Sequence, residues 1–554
     1  FAVSLARRRG SVATAGHEVA TTYGLRARTR TAVINAAILP RMERTSRLTV
    51  KAVAQAGIRA PLMIMRSDGG VMDAGEVARR PILTMLSGPA AGIAGALLHE
   101  NVTDGIFIEV GGTSADCSVI RRGQPQMRPA KIGGHRTMLR TLDVRTLAIA
   151  GGSIPRIDPH GRGSVALRDV GPRSAHIAGL GYACFTEAAA LQGARVTTLA
   201  PQPSDPDDYI ALRLRDGNRV TVTPTCAANL LGYVAAGDFA HGSEASAHAA
   251  CTCIAAQFGT SPEALATAIL ERAADKLGAA IDELIADYEL GRADVELVGG
   301  GGGAAALVPF AAKRLGFRHR LARDAEVISP LGVALALVRD VVERTIVAPS
   351  AADVVRVRRE AFERVVAAGA APELVDVTIE IDARRNLVRA IASGATAATG
   401  DPTRGAISGA TDCDVRKAAA ARALHRDCAE VGELAAAGEF TYFGTHLMRA
   451  ARARASDGCV VDARGVVRLV AARAQISATT AGGCRRVLAA LLEETTSFGD
   501  VGRALPDVHL AYGKRLVDLG TLGEASHVLA LAEEELRGLD TDIPVVIIAA
   551  PRNA

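Results

Sequence analysis

Tryptophan is absent, and Phe and Tyr bring aromatics to only 3% of the 554 residues. Platforms that stack single-stranded nucleic acid need several exposed rings, so this composition argues against them. The cores must instead be built from Ala, Val, Leu and Ile. A charge excess is also lacking. The 64 Lys and Arg against 59 Asp and Glu leave +5, too little to predict a nucleic-acid or membrane partner. Long apolar runs are missing, because the longest uncharged stretches, residues 82–98 and 297–312, contain Gly and Pro and fall short of a membrane span. Zinc-type cysteine spacing is missing too: of nine scattered Cys, the close pair Cys251 and Cys253 has no second Cys or His pair nearby. Reduced thiols and a cytoplasmic protein are the expectation. The opening FAVSLARRRG has no apolar segment of secretory-signal length, and a start at Phe1 reads as a start inside a longer polypeptide.

What is present predicts a globular α/β chain. At 49% hydrophobic and 22% charged residues it can fill several cores, and about 150 residues per domain predicts three or four folding units. No repeat of solenoid length is visible. Residues 31–42, ended by Pro40, and 48–56 read as two helices, followed by a strand over 61–65 and a helix over 89–99. Residues 106–110 and 116–120 read as strands pinching a glycine turn. Ser261-Pro262-Glu263 opens a long helix. Residues 295–298, 299–303 and 304–315 read as strand, glycine loop and helix, and Ser329-Pro330 opens a further helix over 331–343. After 350 the texture changes to a strand over 375–383, a Gly/Ala/Thr-rich stretch over 392–409 and Ala/Arg-rich helices. The expected division is 1–45 as a remnant of or linker from an N-terminal domain, 46–348 as one domain, and 349–554 as an α+β C-terminal region.

The sharpest chemical signal is FIEVGGTSADCSVI, residues 107–120. Glycines at 111 and 112 let backbone N–H groups meet phosphate oxygens with no Cβ in the way. Thr113 and Ser114 add hydroxyl donors, and Asp116 is a candidate ligand for Mg2+. A plain hairpin whose glycines serve only the turn satisfies the same pattern. The second signal is the run of five glycines, Gly299, Gly300, Gly301, Gly302 and Gly303, between a strand and a helix. Such a loop can seat a flat ligand at a helix N-terminus, and a merely flexible loop explains it as well. Together the two fit one nucleotide held from opposite walls of a cleft. His135 and His160 are weaker candidates near Asp143. Cys184 and Cys226 read as small buried hydrophobes, Asp205, Asp207 and Asp208 as a solvated turn, and Glu533-Glu534-Glu535 as an exposed helix face.

ERTSRLTV, MRSDGGVM, TMLSGPAAGI, IEVGGTSADCSVIRRG, IGGHRTMLRTLDVRTLAIAGGSI and VGGGGGAAALVPFA stand here in the order of the landmarks of the hydantoinase A and 5-oxoprolinase family, which the sequence resembles over about residues 30–345. That family includes the ATP-using subunits of acetone and acetophenone carboxylases. The resemblance implies an actin-like ATPase fold of two ribonuclease-H-like halves closing on ATP, with Mg2+ or another divalent metal. It implies ATP-dependent activation of the carbonyl of a cyclic amide (hydantoin or 5-oxoproline type) or a ketone, followed by ring opening or carboxylation, with a hydantoinase B type subunit as partner. Asp116 and Asp143 are the carboxylates it marks as catalytic and metal-binding.

The sequence departs from the family pattern in four places. The first Asp-x-Gly-Gly-Thr loop is absent, so it either precedes Phe1 or the nucleotide site is incomplete. At the second loop Glu109 replaces the usual Asp. Asp-Ile-His has become Asp143-Val144-Arg145, exchanging a potential ligand for a cation. The Asp of the Ala-Asp-Pro-Gly-Pro stretch is lost within residues 174–182. A non-catalytic, nucleotide-binding subunit of the same complex is the alternative reading.

Overall fold

The computed structural model describes the chain except residues 1, 21–23, 59, 61, 101, 103, 122, 159–166, 397–412, 446–454, 464, 500–501 and 552–554. It forms two compact units. The central unit is Leu86–Arg128 with Leu142–Leu335, and the flanking unit is Phe1–Met85, Pro129–Thr141 and Ala336–Ala554.

The central unit carries the motifs. Its elements are α1 (Ser87–Leu98), β1 (Gly105–Val110), β2 (Ala115–Arg121), β3 (Val144–Leu147), α2 (Pro224–Leu230), α3 (Pro262–Asp287), β4 (Glu296–Gly300), α4 (Ala304–Leu315), β5 (Arg318–Leu321) and α5 (Ile328–Leu335). The strands lie in the order β3-β2-β1-β4-β5. β1 and β3 run antiparallel to β2, whereas β4 runs parallel to β1 and β5 parallel to β4. An antiparallel meander continued by parallel crossover strands is the ribonuclease-H-like order that actin-like ATPases share.

Alternation along the strands sorts the two faces. Ile106, Ile108, Val110, Ala115, Cys117 and Val119 enter a large core with α2, α3 and α4. Phe107, Glu109, Asp116 and Ser118 point the other way, toward α1. The helix α3 starts as predicted: the Ser261 hydroxyl accepts from the Ala264 N–H at 3.1 Å and Pro262 occupies the first turn. Leu277, Ile281 and Leu284 keep its core face apolar.

Three expectations are corrected. Residues 31–42 and 48–56 belong to one helix, Leu25–Gln55, which continues through Pro40. Proline removes one N–H donor, but good helix formers on both sides and the Asn35 side chain, bonded to Thr14 and the Arg79 carbonyl, hold the helix through it. The helix over 331–343 stops at Leu335, and the β-branched stretch Val338–Thr345 is a strand. That strand pairs along its length with Leu387–Thr396, so the contacts do not divide the chain at 349. Residues 336–348 and 46–85 group with the C-terminal part.

In the flanking unit, MRSDGG supplies a buried ion network: Arg66 pairs with Asp68 at 2.8 Å, and Asp340 receives Arg66 at 3.6 Å and Arg80 at 3.3 Å. Glu535, expected on an exposed face, is buried against Arg358 and Arg515. The stretch 397–409 lies outside the described residues. Among those described, no helix is long and apolar enough to cross a membrane.

Candidate nucleotide site

Glu109 on β1 and Asp116 on β2 are register partners. They line a narrow crevice with Pro89, Ile93, Phe107, Ser118 and Val144, too tight as it stands to hold a water molecule. The Glu109 carboxylate is wedged between two helices. A Cβ added at Gly92 of α1 would fall 1.9 Å from Glu109 Oε2, and the Ser329 hydroxyl of α5 donates to Oε1. The Thr146 hydroxyl donates to Asp116.

Among the described residues neither carboxylate has a Lys, Arg or His ion-pair partner. Burial therefore pushes Glu109 up; the Ser329 bond opposes this and the facing Asp116 charge adds to it, leaving Glu109 at about 7. Burial raises Asp116 as well, against the Thr146 bond. The Ser118 hydroxyl, two residues along the same face, is buried and has no hydrogen-bond partner among the described residues.

Asp143 is in a different place and has a different task. It lies just before β3, and its partners Arg145, register partner of the core-facing Cys117, and Tyr288, at the end of α3, place it away from the Asp116 crevice. Arg145 and Arg128 both reach its Oδ1 at 2.8 Å, and the Tyr288 hydroxyl donates to Oδ2 at 2.7 Å. Both oxygens are engaged, and Asp143 is a buried ion-pair centre tying β3 to the end of α3.

At the hairpin tip, the Gly111 N–H donates to the Ser114 carbonyl at 3.0 Å. The N–H groups of Gly112, Thr113 and Ser114 make no hydrogen bond among the described residues, and this turn is largely exposed. A Cβ at Gly111 would meet only the Ser114 carbonyl and one at Gly112 only the Tyr182 hydroxyl, each at 3.6 Å. Both are ordinary contacts, so packing does not demand glycine at either position, which weighs against the plain-turn reading.

The second glycine run packs beside the hairpin on the neighbouring strand, which replaces the expected opposite walls. Gly299 and Gly300 lie within β4, where added Cβ atoms would collide with Val308 and Leu321, and with Phe107. Gly301 donates to Ala325 at 2.7 Å and Gly303 to Val110 at 2.9 Å. A Cβ at Gly301, whose φ is +85°, would fall 2.4 Å from the Val110 carbonyl. These glycines let two backbones approach, and the N–H groups of 301 and 303 are used. Gly302 differs. It makes no hydrogen bond among the described residues and lies against the Phe239 ring, 2.8 Å from its own ideal Cβ position. Phe239 is 71% exposed.

Sequence reasoning missed several neighbours. Gly151 donates to the Gly111 carbonyl at 3.3 Å and accepts from Thr225, and a Cβ at Gly152 would fall 2.0 Å from the Tyr182 hydroxyl and 2.5 Å from the Gly112 carbonyl. The Gly-Gly pair between two apolar stretches was the available signal. Tyr182, Thr225, Phe239 and Ser329 had none. Of the other candidates, His135 is exposed on a strand of the flanking unit and His160 lies outside the described residues. Asp205 and Asp208 pair with Arg173 and Arg156, each at a shortest distance of 2.7 to 2.8 Å. Asp208 is buried and Asp205 half-buried, so of the three only Asp207 fits the expected solvated turn.

The sheet, with its glycine hairpin at the strand ends, has the actin-like fold. Within it the chain belongs to the hydantoinase/oxoprolinase family, whose model matches residues 28–342. It is 30% identical over 164 residues to the caprolactamase subunit alpha of Pseudomonas jessenii, a match covering 29% of this chain and 23% of that subunit. The crystal structure of the ATP-dependent caprolactamase from the same organism is similar in fold, with a TM-score of 0.50 at 20% identity, covering 71% of this chain and 61% of that one. Nucleotide-free acetone carboxylase has a TM-score of 0.47 at 18% identity, covering 68% and 52%. The chain thus matches less than a quarter of the curated relative and between half and two thirds of the two structures.

Proposed function

We propose that this chain is the ATP-using part of an enzyme that opens a cyclic amide of the hydantoin, 5-oxoproline or lactam type by phosphoryl activation of the ring carbonyl oxygen, working with a hydantoinase B type subunit. The observation that carries this reading is the set of three N–H groups at Gly112–Ser114, without hydrogen bonds among the described residues, on the hairpin that carries two carboxylates without a counter-charge. Facing carboxylates lacking a cationic partner fit Mg2+ or another divalent ion; Asp143, already saturated, does not. Bound nucleotide and metal supply the phosphoryl group and the missing positive charge. The chain's own contribution is positioning and charge neutralisation, which is what phosphoryl transfer requires. The N–H groups of 112–114 receive phosphate oxygens, Thr146 orients Asp116, and Ser329 orients Glu109, whose carboxylate takes up or releases a proton near neutrality. Phe239 and Gly302 offer a flat surface for the base.

The test is ATP turnover with hydantoin, 5-oxoproline and caprolactam as trial substrates in the presence of the partner subunit. Turnover should depend on one of these rings and be lost in Asp116→Asn; turnover that ignores every ring and survives this substitution rejects the reading. The capture of Asp143 by arginines favours the second reading, a nucleotide-binding subunit without catalysis, which would show ATP affinity but no ring-dependent turnover.

Two further outcomes are expected. Gly112→Ala should leave stability within about 0.5 kcal/mol, as for a surface substitution, yet weaken ATP binding at least tenfold, because the new methyl group occupies the anion's space; calorimetric titration measures both. Phe239→Ala should raise KM for ATP roughly fivefold or more with kcat nearly unchanged, since base stacking contributes about 1 kcal/mol or more. An unchanged KM removes Phe239 from the site.

A further inference from the structure

The turn Ala183–Phe185 and the first turn of α2 bring together two cysteines 42 positions apart. The Cys226 sulfur accepts from the Cys184 N–H at 3.4 Å and from the Thr223 hydroxyl at 3.4 Å, and its own S–H faces the Thr221 carbonyl at 3.8 Å. Gly242 closes over Cys184, its ideal Cβ position 3.1 Å from Sγ. A buried small-hydrophobe cysteine needs none of these donors. Two donors converge on one sulfur, and one of them is the backbone N–H of a second cysteine, which sets a resolving thiol beside it.

We infer that Cys184 and Cys226 are a redox modification site, closing to a disulfide when the protein meets a hydroperoxide. The Cys226 thiolate attacks a peroxide oxygen; the S–O bond forms, the O–O bond breaks, and the leaving oxygen departs with a proton as water or an alcohol. The sulfenic acid left on Cys226 is attacked by the Cys184 sulfur. The S–S bond forms, the S–O bond breaks, and water leaves with the thiol proton. Two thiols are oxidised by two electrons and one peroxide is reduced. Burial pushes the Cys226 thiol up, and the bonds from Cys184 and Thr223 more than offset this, holding it below the ordinary thiol range. Both cysteines are buried, at 1% and 0% exposure, so the reaction requires a local opening that admits the peroxide. The link would join the segments that carry Tyr182 and Thr225 to the glycines at 151 and 152.

The experiment is titration of the full chain with hydrogen peroxide, followed by alkylation under denaturing conditions and peptide mapping. The expected result is a linked peptide pair containing Cys184 and Cys226, a mass lower by about 2 Da before alkylation, and reversal by dithiothreitol. Cys251→Ser should leave the link intact, whereas Cys184→Ser and Cys226→Ser should each abolish it. The inference is overturned if Cys184 and Cys226 remain free thiols while the exposed Cys413 and Cys428 are oxidised, or if the linked partner is Cys251. The wild-type mapping decides this whether or not any variant folds.

Discussion

Glu109→Gln is expected to lower ring-dependent ATP turnover by roughly 10²- to 10³-fold, the range for removing one preorganised electrostatic group from a reacting centre, and at the same time to make the protein more stable at alkaline pH. The second effect follows from the sign of the shift. Glu109 stands at about 7 in the folded chain against 4.5 as its ordinary value, so the native state holds a proton that the unfolded chain gives up. Its contribution to stability is fully present below about 4.5 and is lost as pH rises through 7, amounting to about 3 kcal/mol at most. Glutamine does not titrate. Urea midpoints of the wild type and variant should therefore nearly coincide at pH 4.5 and separate in favour of the variant by pH 8. Midpoints that stay parallel across this range would show that Glu109 is ionised in the folded protein at neutral pH. Loss of activity without the pH effect would leave the carboxylate functional but its desolvation wrong.

Asp143→Asn should behave oppositely. Removing the charge leaves Arg145, only 13% exposed at its side chain, with Asp287 as its remaining close carboxylate, so what is lost is charged hydrogen bonds, roughly 1.5 to 3 kcal/mol. The variant should unfold at clearly lower urea, while kcat per folded molecule stays within about twofold of wild type, since Asp143 lies away from the crevice of Glu109 and Asp116. A variant of normal stability with turnover reduced a hundredfold would restore Asp143 to the catalytic machinery. Measuring stability and kcat on the same preparations separates the two cases.

The comparison of these two carboxylates shows how far the residues alone could be read. Both belong to family landmarks, and each is a plausible metal ligand when only its neighbours in sequence are known. What separates them is the partners the fold sets beside each. Asp116 shares a face with Glu109 across one register pair, and Asp143 falls among the arginines and Tyr288. The glycine runs divide in the same way. At 111 and 112 the side of the backbone left open by glycine holds no protein atoms closer than 3.6 Å. At 299–301 and 303 it is filled by Phe107, Val308 and the backbone of β1, so identical residue types leave open space in one loop and serve chain packing in the other.

By itself the sequence determined most of the strand, turn and helix character of the central unit, the family, and the glycine hairpin itself, because these depend on local periodicity, capping and residue order. Tertiary structure alone decided that Glu109 is squeezed between Gly92 and Ser329, that Asp143 is neutralised by Arg128 and Arg145, that Phe239 lies on Gly302, and that residues 336–348 join the flanking unit. The physical reason is that desolvation, ion pairing and strand register are set by atoms tens to hundreds of positions away, and residue order carries no record of that distance in space.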